Sequence, residues 1–558
     1  MFCFYISNIS GQNTSIPDPN FEQALIDLNI DSDGIINQSV LTSDITGVTY
    51  LNVGSKNITN LTGIEDFISL NYLNCYNNQI VNLDVSQNTL LTSLYCHYNQ
   101  LTGLDVSTNT ALVHLSCYNN PLISTLDVSQ NTALTWLACL NTGLSQLDVS
   151  NNTLLTDLIC RHNQLTSLDV SNNTALESLY LDNNQVNSLN ISNNTALIYL
   201  DCSNNSISNL DVSNSTALTS LNFSNNQIPS IDVSQHPLLT NLYGRNNQLT
   251  SLNVSNNPAL LYLSCGSNQI LNLSVSNNSL LQSLECSSIL ITDLDVTNNL
   301  ALTSLNCRGN QISNLNVSQN IALNILDCSD SLLENLDITQ NINLEYLTCN
   351  TNQINSLDLS NNSMLYALTC GINPLNSLDV SNNTALAFIN CSSNGLTNLD
   401  LSNNNALIDV RCFNNELTIL NIKNGNNLIL TSLNAQNNLP STCIQVDNEI
   451  DANNGAAPYN TWYKDAEANY SEDCSALSLN DEMIAQSINI YPNPISQFLN
   501  IDSKLSISKV EIFSIFGNKV KEINSDFKSI NVNDLSSGIY LLKFETVIGY
   551  RNKLIIKK

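Results

Sequence analysis

The stretch Leu94–Leu115, LYCHYNQLTGLDVSTNTALVHL, decides the fold, because nearly everything between residues 49 and 440 repeats it. The cysteines show the period, since fourteen of them share one register with a step of 21 residues and a single step of 22. These cysteines are Cys75, Cys96, Cys117, Cys139, Cys160, Cys202, Cys265, Cys286, Cys307, Cys328, Cys349, Cys370, Cys391 and Cys412. Leu181, Phe223 and Gly244 take the same position in three further coils, and Val53 and Ala435 mark degenerate end coils. A fixed period of this size predicts a solenoid.

One coil shows what each position does. Leu91, Leu94, Cys96, Asn99 and Leu101 give the pattern LxxLxCxxNxL, which resembles the leucine-rich repeat in a short bacterial form. The alternation of apolar and polar residues around the cysteine predicts a short strand with its leucine and cysteine pointing inward. The resemblance implies that these strands stack in parallel, coil upon coil, and that ligands bind on the concave strand face. No coil can bury its own apolar face, so the array is stable only as a stack.

Three polar or reactive positions recur with the repeat. We expect Asn99 and its counterparts to bond turn backbone of their own and the next coil, which satisfies groups that would otherwise be buried unpaired. Asparagine also tolerates tight-turn conformations, which explains why glycine is rare. The cysteines fit a small buried apolar role, with metal binding or disulfides as the alternative. The aspartate of the LDVS segment, such as Asp105, fits a turn cap, with weak divalent-ion binding as the alternative.

Charge divides the chain and excludes one class of partner. The net charge of −30 argues against nucleic acid. Residues 485–558 hold 10 of the 17 basic and 6 of the 47 acidic residues, which favours a separate C-terminal domain. No run of 18 apolar residues occurs, so no transmembrane helix is expected. The predicted organisation is a signal-peptide remnant over 1–12, an N-terminal cap over 13–48, the solenoid over 49–440, a C-terminal cap over 441–480 and a final domain over 485–558.

The N-terminal region predicts a cap. Residues 1–12 resemble the tail of a secretory signal, with a buried N-terminal strand as the alternative. Pro17–Leu28 reads as a helix with Asp18 or Asn20 as N-cap and with Phe21, Leu25 and Leu28 on its apolar face. The residues that follow resemble the front half of an EF-hand-like calcium loop, with Asn29, Asp31 and Asp33 as candidate ligands. The twelfth position is Val40 rather than glutamate, so a plain Asp-Gly turn competes with calcium.

The C-terminal region breaks the period twice. Cys443 and Cys474 lie outside the cysteine register, and we expect one disulfide between them to close the C-terminal cap. Alternating short strands after residue 485 predict a small all-β sandwich. This segment resembles the C-terminal sorting domain of Bacteroidetes type IX secretion substrates, on YPNP at 491–494, GIY at 538–540 and the basic end at 553–558. The resemblance implies Sec and type IX export, interaction with that machinery, and release or outer-membrane attachment at the surface.

The sequence offers no catalytic motif. It contains no HExxH, GxSxG or GxxxxGK[ST] pattern, so we expect a protein that is not an enzyme and needs no cofactor, calcium aside. The variable positions of the strand face are more informative, because aromatic side chains and arginine recur there as in binding hot spots. Strand propensity alone is the competing explanation for these aromatics. The candidate binding residues are Tyr72, Tyr76, Tyr95, His97, Tyr98, His114, Tyr118, Trp136, Arg161 and His162.

These observations favour a secreted or cell-surface binding or adhesion protein that recognises protein or polysaccharide on its concave face. The alternative is a passive structural display protein without a defined ligand.

Overall fold

The computed structural model describes residues 12–474, 488–503, 506–514, 518–546 and 549–558. Residues 1–11 of the expected signal remnant therefore lie outside the described residues. The solenoid prediction is confirmed, because within the described residues twenty short strands form one parallel sheet in chain order. These strands are Tyr50–Asn52, Tyr72–Asn74, Ser93–Tyr95, His114–Ser116, Trp136–Ala138, Asp157–Ile159, Ser178–Tyr180, Tyr199–Asp201, Ser220–Asn222, Asn241–Tyr243, Tyr262–Ser264, Ser283–Glu285, Ser304–Asn306, Ile325–Asp327, Tyr346–Thr348, Ala367–Thr369, Phe388–Asn390, Asp409–Arg411, Ser432–Ala435 and Tyr463–Lys464.

The interior of each coil follows the repeat. Leu94 pairs in register with Leu73 of the preceding strand and Leu115 of the next. Leu94 and Cys96 are fully buried, as are their counterparts, and one continuous apolar core runs from the N-terminal cap to the C-terminal cap. Each fully buried leucine contributes about 1.5–3 kcal/mol relative to an exposed one. The stack is thus held together by contacts between neighbouring coils.

The inward asparagine forms hydrogen bonds with the preceding coil rather than with the next one. Asn99 donates from Nδ2 to the carbonyl oxygens of Cys96 in its own coil and Cys75 in the preceding coil, each at 3.0 Å. Its Oδ1 accepts the Ile80 N–H, again in the preceding coil. The prediction of bonds to the next coil was therefore wrong. The chain reaches this asparagine just after leaving the strand, where the side chain extends back over the coil already formed.

The left-handed turn residue is the one before that asparagine. Tyr98 has φ 53°, and its counterparts in every coil also have positive φ. Nine of the eighteen counterparts are asparagine, which tolerates this conformation best after glycine. The prediction that asparagine replaces glycine in the tight turns thus applies to this neighbouring position.

A second buried asparagine position was not predicted. Asn109 is fully buried and donates to the carbonyl oxygens of Val85 and Asn88 in the preceding coil. The asparagine recurs in the SNNTAL segment, so its phase was visible in the sequence. The aspartate of the same segment caps a turn as predicted, since Asp105 Oδ1 accepts the Ser107 N–H at 2.9 Å. Hydrogen bonds from Ser107 lower the pKa of Asp105.

The N-terminal cap contains an α-helix, Pro19–Asp27, whose N-cap is Asp18. Phe21 and Leu25 are buried as predicted, but Leu28 is 44% exposed. The helix ends at Asp27, so Leu28 lies past its last turn, where its side chain is exposed. The remaining cap elements are the antiparallel strands Asn13–Ser15 and Ser39–Leu41, a short helix Thr42–Ile45 and a 3-10 helix Ile64–Asp66.

The loop proposed for calcium is held by its own hydrogen bonds. Asp31 Oδ1 accepts the Asp33 N–H, and Asp33 Oδ1 accepts the Ile35 N–H. Asp31 is buried, and burial followed by the nearby Asp33 carboxylate raises its pKa. Val40, at the twelfth position, packs into the core from a strand. Within the described residues no group of three histidine, cysteine or acidic side chains could hold a metal ion. A calcium ion held by Asn29, Asp31 and Asp33 stays a prediction.

The C-terminal cap extends the solenoid in irregular coils. A second parallel sheet contains Asn398–Asp400, Ile419–Asn421, Cys443–Gln445 and Asn469–Ser471. A disulfide joins Cys443 to Cys474, across a helix at Glu449–Asn453 and a 3-10 helix at Tyr459–Thr461. A further 3-10 helix spans Asn427–Ile429. The Trp462 indole donates to the Leu430 carbonyl oxygen, which joins the cap to the degenerate end coil of Ala435.

The final domain consists of two antiparallel sheets, as predicted. One contains Ile488–Tyr491, Phe498–Ser503 and Ser529–Asn531. The other contains Lys519–Ile523, Ile507–Ser514, Gly538–Thr546 and Gly549–Lys557, in that spatial order. Leu499 of the first sheet and Phe544 of the second belong to one buried core, separate from that of the solenoid.

Candidate functional site

The candidate binding residues lie on the outer side of the parallel sheet, at the positions flanking each inward leucine and cysteine. This strand face repeats once per coil, so side chains at equivalent positions form columns down the sheet. Tyr72 lies three residues before Cys75, and Tyr76 lies one after it. In-register pairing places the Tyr95 strand directly beside the Tyr72 strand. The fold thus brings side chains that are about 21 residues apart into direct contact.

Eight rings form a connected group, which we call the aromatic cluster. Tyr50 stacks on Tyr72 with ring centroids 4.4 Å apart, and Tyr72 lies 5.4 Å from Tyr95. Tyr95 continues to Trp136 at 6.5 Å and to His97 at 6.4 Å. The cluster comprises Tyr50, Tyr72, Tyr76, Tyr95, His97, Tyr98, Tyr118 and Trp136.

His97 is the centre of the cluster. It stacks between Tyr76 at 5.2 Å and Tyr118 at 4.3 Å, and its Nδ1 lies 3.0 Å from the Ser116 hydroxyl oxygen. Burial lowers the pKa of His97 to about 4, so the ring is neutral at pH 7. The centre of the cluster is therefore apolar and uncharged. Tyr98, by contrast, is 52% exposed at the rim.

Three predicted residues lie apart from this cluster. His114 is half-buried in its strand, between the Ser93 and Trp136 positions. The Arg161 guanidinium carbon lies 6.0 Å from the Tyr180 ring centroid. His162 Nε2 lies 4.0 Å from Asp182 Oδ2. The in-register pairing places His114 beside Trp136, but neither histidine stacks on a ring of the cluster.

The polar group of Arg161 and His162 contains a residue that the sequence reasoning missed. Asp182 is 6% exposed, and its Oδ2 accepts a hydrogen bond from Asn183 Nδ2 at 2.7 Å. Its Oδ1 and Arg161 Nε are both buried with no hydrogen-bond partner among the described residues. Burial, and then the nearby Asp201 carboxylate, raise the pKa of Asp182. Asp182 follows Leu181, which is in the cysteine register, so its position on the strand face was visible, but its burial was not.

Tyr50 was also missed, because it belongs to a degenerate coil. It lies three residues before Val53, the same offset that Tyr72 has from Cys75. That shared offset was the signal that could have found it.

A family model for the secretion system C-terminal sorting domain matches residues 489–557. Among solved structures, the functional domain of InlJ from Listeria monocytogenes, described as including a cysteine ladder, is 26% identical with a TM-score of 0.53. That match covers 99% of this chain and all of the InlJ chain. No curated protein matches the chain.

Two further structures share the fold. The leucine-rich-repeat ectodomain of the Arabidopsis receptor kinase HAESA, in complex with an IDA peptide hormone, is 20% identical with a TM-score of 0.57, covering 73% of this chain and 80% of its own. A leucine-rich-repeat protein of Leptospira interrogans is 21% identical with a TM-score of 0.50, covering 61% of this chain and 97% of its own.

The repeat geometry and these matches define a leucine-rich-repeat solenoid protein. More particularly, the chain is such a solenoid with a type IX secretion C-terminal sorting domain. That domain indicates export to the cell surface or beyond and implies engagement with the type IX machinery. Along the described part of the chain, the helices are too short and too polar to cross a membrane.

Proposed function

We propose that this protein is a secreted or surface-attached binding protein that recognises a protein or polysaccharide ligand through the aromatic cluster. The observation that carries the proposal is the connection of eight rings across five neighbouring coils of one strand face. Stacked and edge-on rings present large apolar area at little conformational cost, as binding hot spots do. Catalysis is not part of the proposal.

Two properties of the cluster support it. Four of the rings lie on strands of the sheet and four lie within three residues after a strand ends. The surface is therefore organised before a ligand arrives, which reduces the entropy cost of binding. The polar group of Arg161, His162 and Asp182 continues the same face and adds hydrogen-bond donors and acceptors. The HAESA ectodomain, which shares the fold, is in complex with a peptide hormone ligand.

The test is a binding screen with the full chain. Arrays of glycans and of surface proteins are probed with and without calcium, and any hit is measured again with a variant carrying alanine at Tyr95, Tyr98, Tyr118 and Trp136. We expect the variant to lose the hit. A matched control carries alanine at Tyr199 and Tyr262, which are exposed strand-face tyrosines outside the cluster. A hit that survives the four substitutions would place the binding site elsewhere, and silence across the arrays would favour passive display.

Export has its own test. Deleting residues 485–558 should trap the protein in the periplasm, because the sorting domain is what the secretion machinery engages. Fractionation of cells that express the full and the truncated chain measures this directly. Normal surface appearance of the truncated chain would contradict it.

A further inference from the structure

A second group of apolar side chains is exposed on the strand face, far from the aromatic cluster. We call it the C-terminal apolar patch, and it comprises Ile325, Tyr346, Tyr366, Ile372 and Phe388, which are between 38% and 56% exposed. About nine coils separate it from Trp136, which is roughly 40 Å along the stack at the spacing of neighbouring strands. The two surfaces are therefore distinct sites.

The rings of this patch form a row. Tyr346 and Tyr366 lie 5.8 Å apart, and Tyr366 and Phe388 lie 5.5 Å apart, each pair edge to face. In-register pairing places Ile325 directly beside Tyr346 on the neighbouring strand. The row thus spans four consecutive coils.

Ile372 adds evidence of a different kind. It occupies the left-handed turn position, with φ 54°, where asparagine is the commonest residue. A β-branched residue is strained in this conformation, and its side chain is 56% exposed, so core packing does not repay the cost. Strain of this kind is usually retained for function rather than for stability. Isoleucine at this position therefore lowers the stability of the fold.

Further exposed apolar residues lie outside the strand face. Leu300, Ile321 and Ile342 are each more than half exposed, in three consecutive coils. The equivalent residue in the first seven cysteine-register coils is threonine, for example Thr89 and Thr110. Exposed apolar residues that recur in consecutive coils are typical of interaction surfaces in soluble proteins.

The charge around the patch has a single sign. Between Arg308 and Arg411 the sequence contains no lysine, arginine or histidine, but nine acidic residues. The two flanking arginines are already paired, Arg308 with Asp330 at 2.8 Å and Arg411 with Asp409 at 3.0 Å. Glu345, immediately before Tyr346, adds a carboxylate within the patch itself. A surface of this kind attracts cations and repels polyanions.

We propose that the C-terminal apolar patch is a second binding surface, which takes a cationic polypeptide segment with apolar side chains. Its rings and aliphatic residues receive the apolar side chains of the partner, and the acidic surround receives its lysine or arginine residues. Ile325 and Ile372 favour a polypeptide over a glycan, because aliphatic side chains offer a sugar neither hydrogen bonds nor a flat stacking face. The observations that support this second surface involve no residue of the aromatic cluster.

The experiment measures binding of three synthetic peptides of equal length to the full chain by fluorescence anisotropy, at low and at physiological salt. One peptide combines lysine with leucine and phenylalanine, the second replaces its lysines with glutamate, and the third replaces its apolar residues with serine. We expect only the first to bind, with weaker binding at higher salt.

Two variants then locate the site. Ile372→Asn should weaken binding of the first peptide about tenfold or more. It should also raise the melting temperature, because asparagine is less strained than isoleucine in the left-handed conformation. Loss of binding in a more stable protein cannot be attributed to misfolding. Glu345→Gln should weaken binding and reduce its salt dependence, whereas Glu177→Gln, at the equivalent position of another coil, should not.

Three results would overturn the proposal. The first is no binding of the lysine-containing apolar peptide. The second is equal binding of the glutamate or serine peptide. The third is unchanged binding in both Ile372→Asn and Glu345→Gln, or an equal loss in Tyr98→Asn, which alters only the aromatic cluster.

Discussion

His97 and Tyr118 stack face to face in neighbouring coils, with ring centroids 4.3 Å apart and planes 12° from parallel. A charged imidazolium in this position would be desolvated between two tyrosines. Burial lowers the pKa of His97 to about 4 for that reason. The aromatic cluster should therefore keep one charge state over the whole neutral range.

The first prediction concerns pH. Because the folded pKa of about 4 lies below the ordinary value of 6.5, the unfolded chain binds more protons between these values, so stability should fall as pH drops from 6.5 to 4. Ligand binding through the cluster should not change between pH 6 and 8 for this histidine. Histidine-selective NMR titration measures the pKa, and His97→Gln should flatten the stability loss. A His97 resonance that titrates near 6.5 would contradict the prediction.

The second prediction concerns Tyr98, which is in the left-handed conformation with φ 53°. Tyr98→Asn should raise stability by about 1 kcal/mol, because asparagine is less strained there. The same change should weaken ligand binding by removing an exposed ring of the cluster. Thermal unfolding and a binding assay then move in opposite directions. Ser267→Tyr introduces a tyrosine at the same left-handed position in a coil outside the cluster, and should only lower stability.

The third prediction tests the buried asparagine. Asn99 forms three hydrogen bonds with buried backbone groups of its own and the preceding coil. Asn99→Leu leaves those groups unpaired and should lower the free energy of unfolding by about 2–4 kcal/mol. Urea denaturation followed by circular dichroism measures the change. Asn172→Leu, at an exposed turn position, serves as control and should cost far less.

The fourth prediction concerns the cysteine column. Burial raises the pKa of Cys117 to about 12, and its counterparts are equally buried. The fourteen thiols of the cysteine column should therefore not react with a thiol reagent at pH 8 until the chain unfolds. Counting reacted thiols with and without denaturant checks this. Reaction of several of these thiols in the folded protein would show that the coils open far more readily than this packing implies.

Sequence reasoning located the fold because the repeat combines two periods. Leu94 and Cys96 alternate with polar residues, which predicts a strand, and the 21-residue step stacks one strand on the next. The same pattern identified seven of the eight clustered rings. It could not show that Asn99 bonds the preceding coil or that Tyr98 has a left-handed conformation. Asparagine recurs at both positions, and the sequence does not distinguish their two roles.

The repeat could not supply the orientation of side chains within a column. Whether His97 contacts Tyr118 depends on ring orientation, which the side-chain period does not determine. Asp182 was missed for a related reason, since its burial arises from neighbours in adjacent coils rather than from its own pattern. Leu28 shows the opposite error, where a correct helical period was extended one residue past the helix end.

The last prediction uses Asp182 and Asp105, whose pKa values shift in opposite directions. Burial raises the pKa of Asp182, so the folded chain binds the proton more tightly, and ionising this group destabilises the protein as pH rises above its ordinary value of 3.8. Asp182→Asn should therefore gain stability relative to the unsubstituted chain as pH rises from 4 to 7. Asp105 has a lowered pKa because Ser107 donates to it, so its ionised form stabilises the fold. Asp105→Asn should therefore lose stability relative to the unsubstituted chain as pH rises towards the ordinary value of 3.8, and should change little above it. Melting temperatures of both variants, measured from about pH 2 to pH 7, test this. Equal pH profiles would mean that the carboxylate of Asp182 is solvated rather than buried.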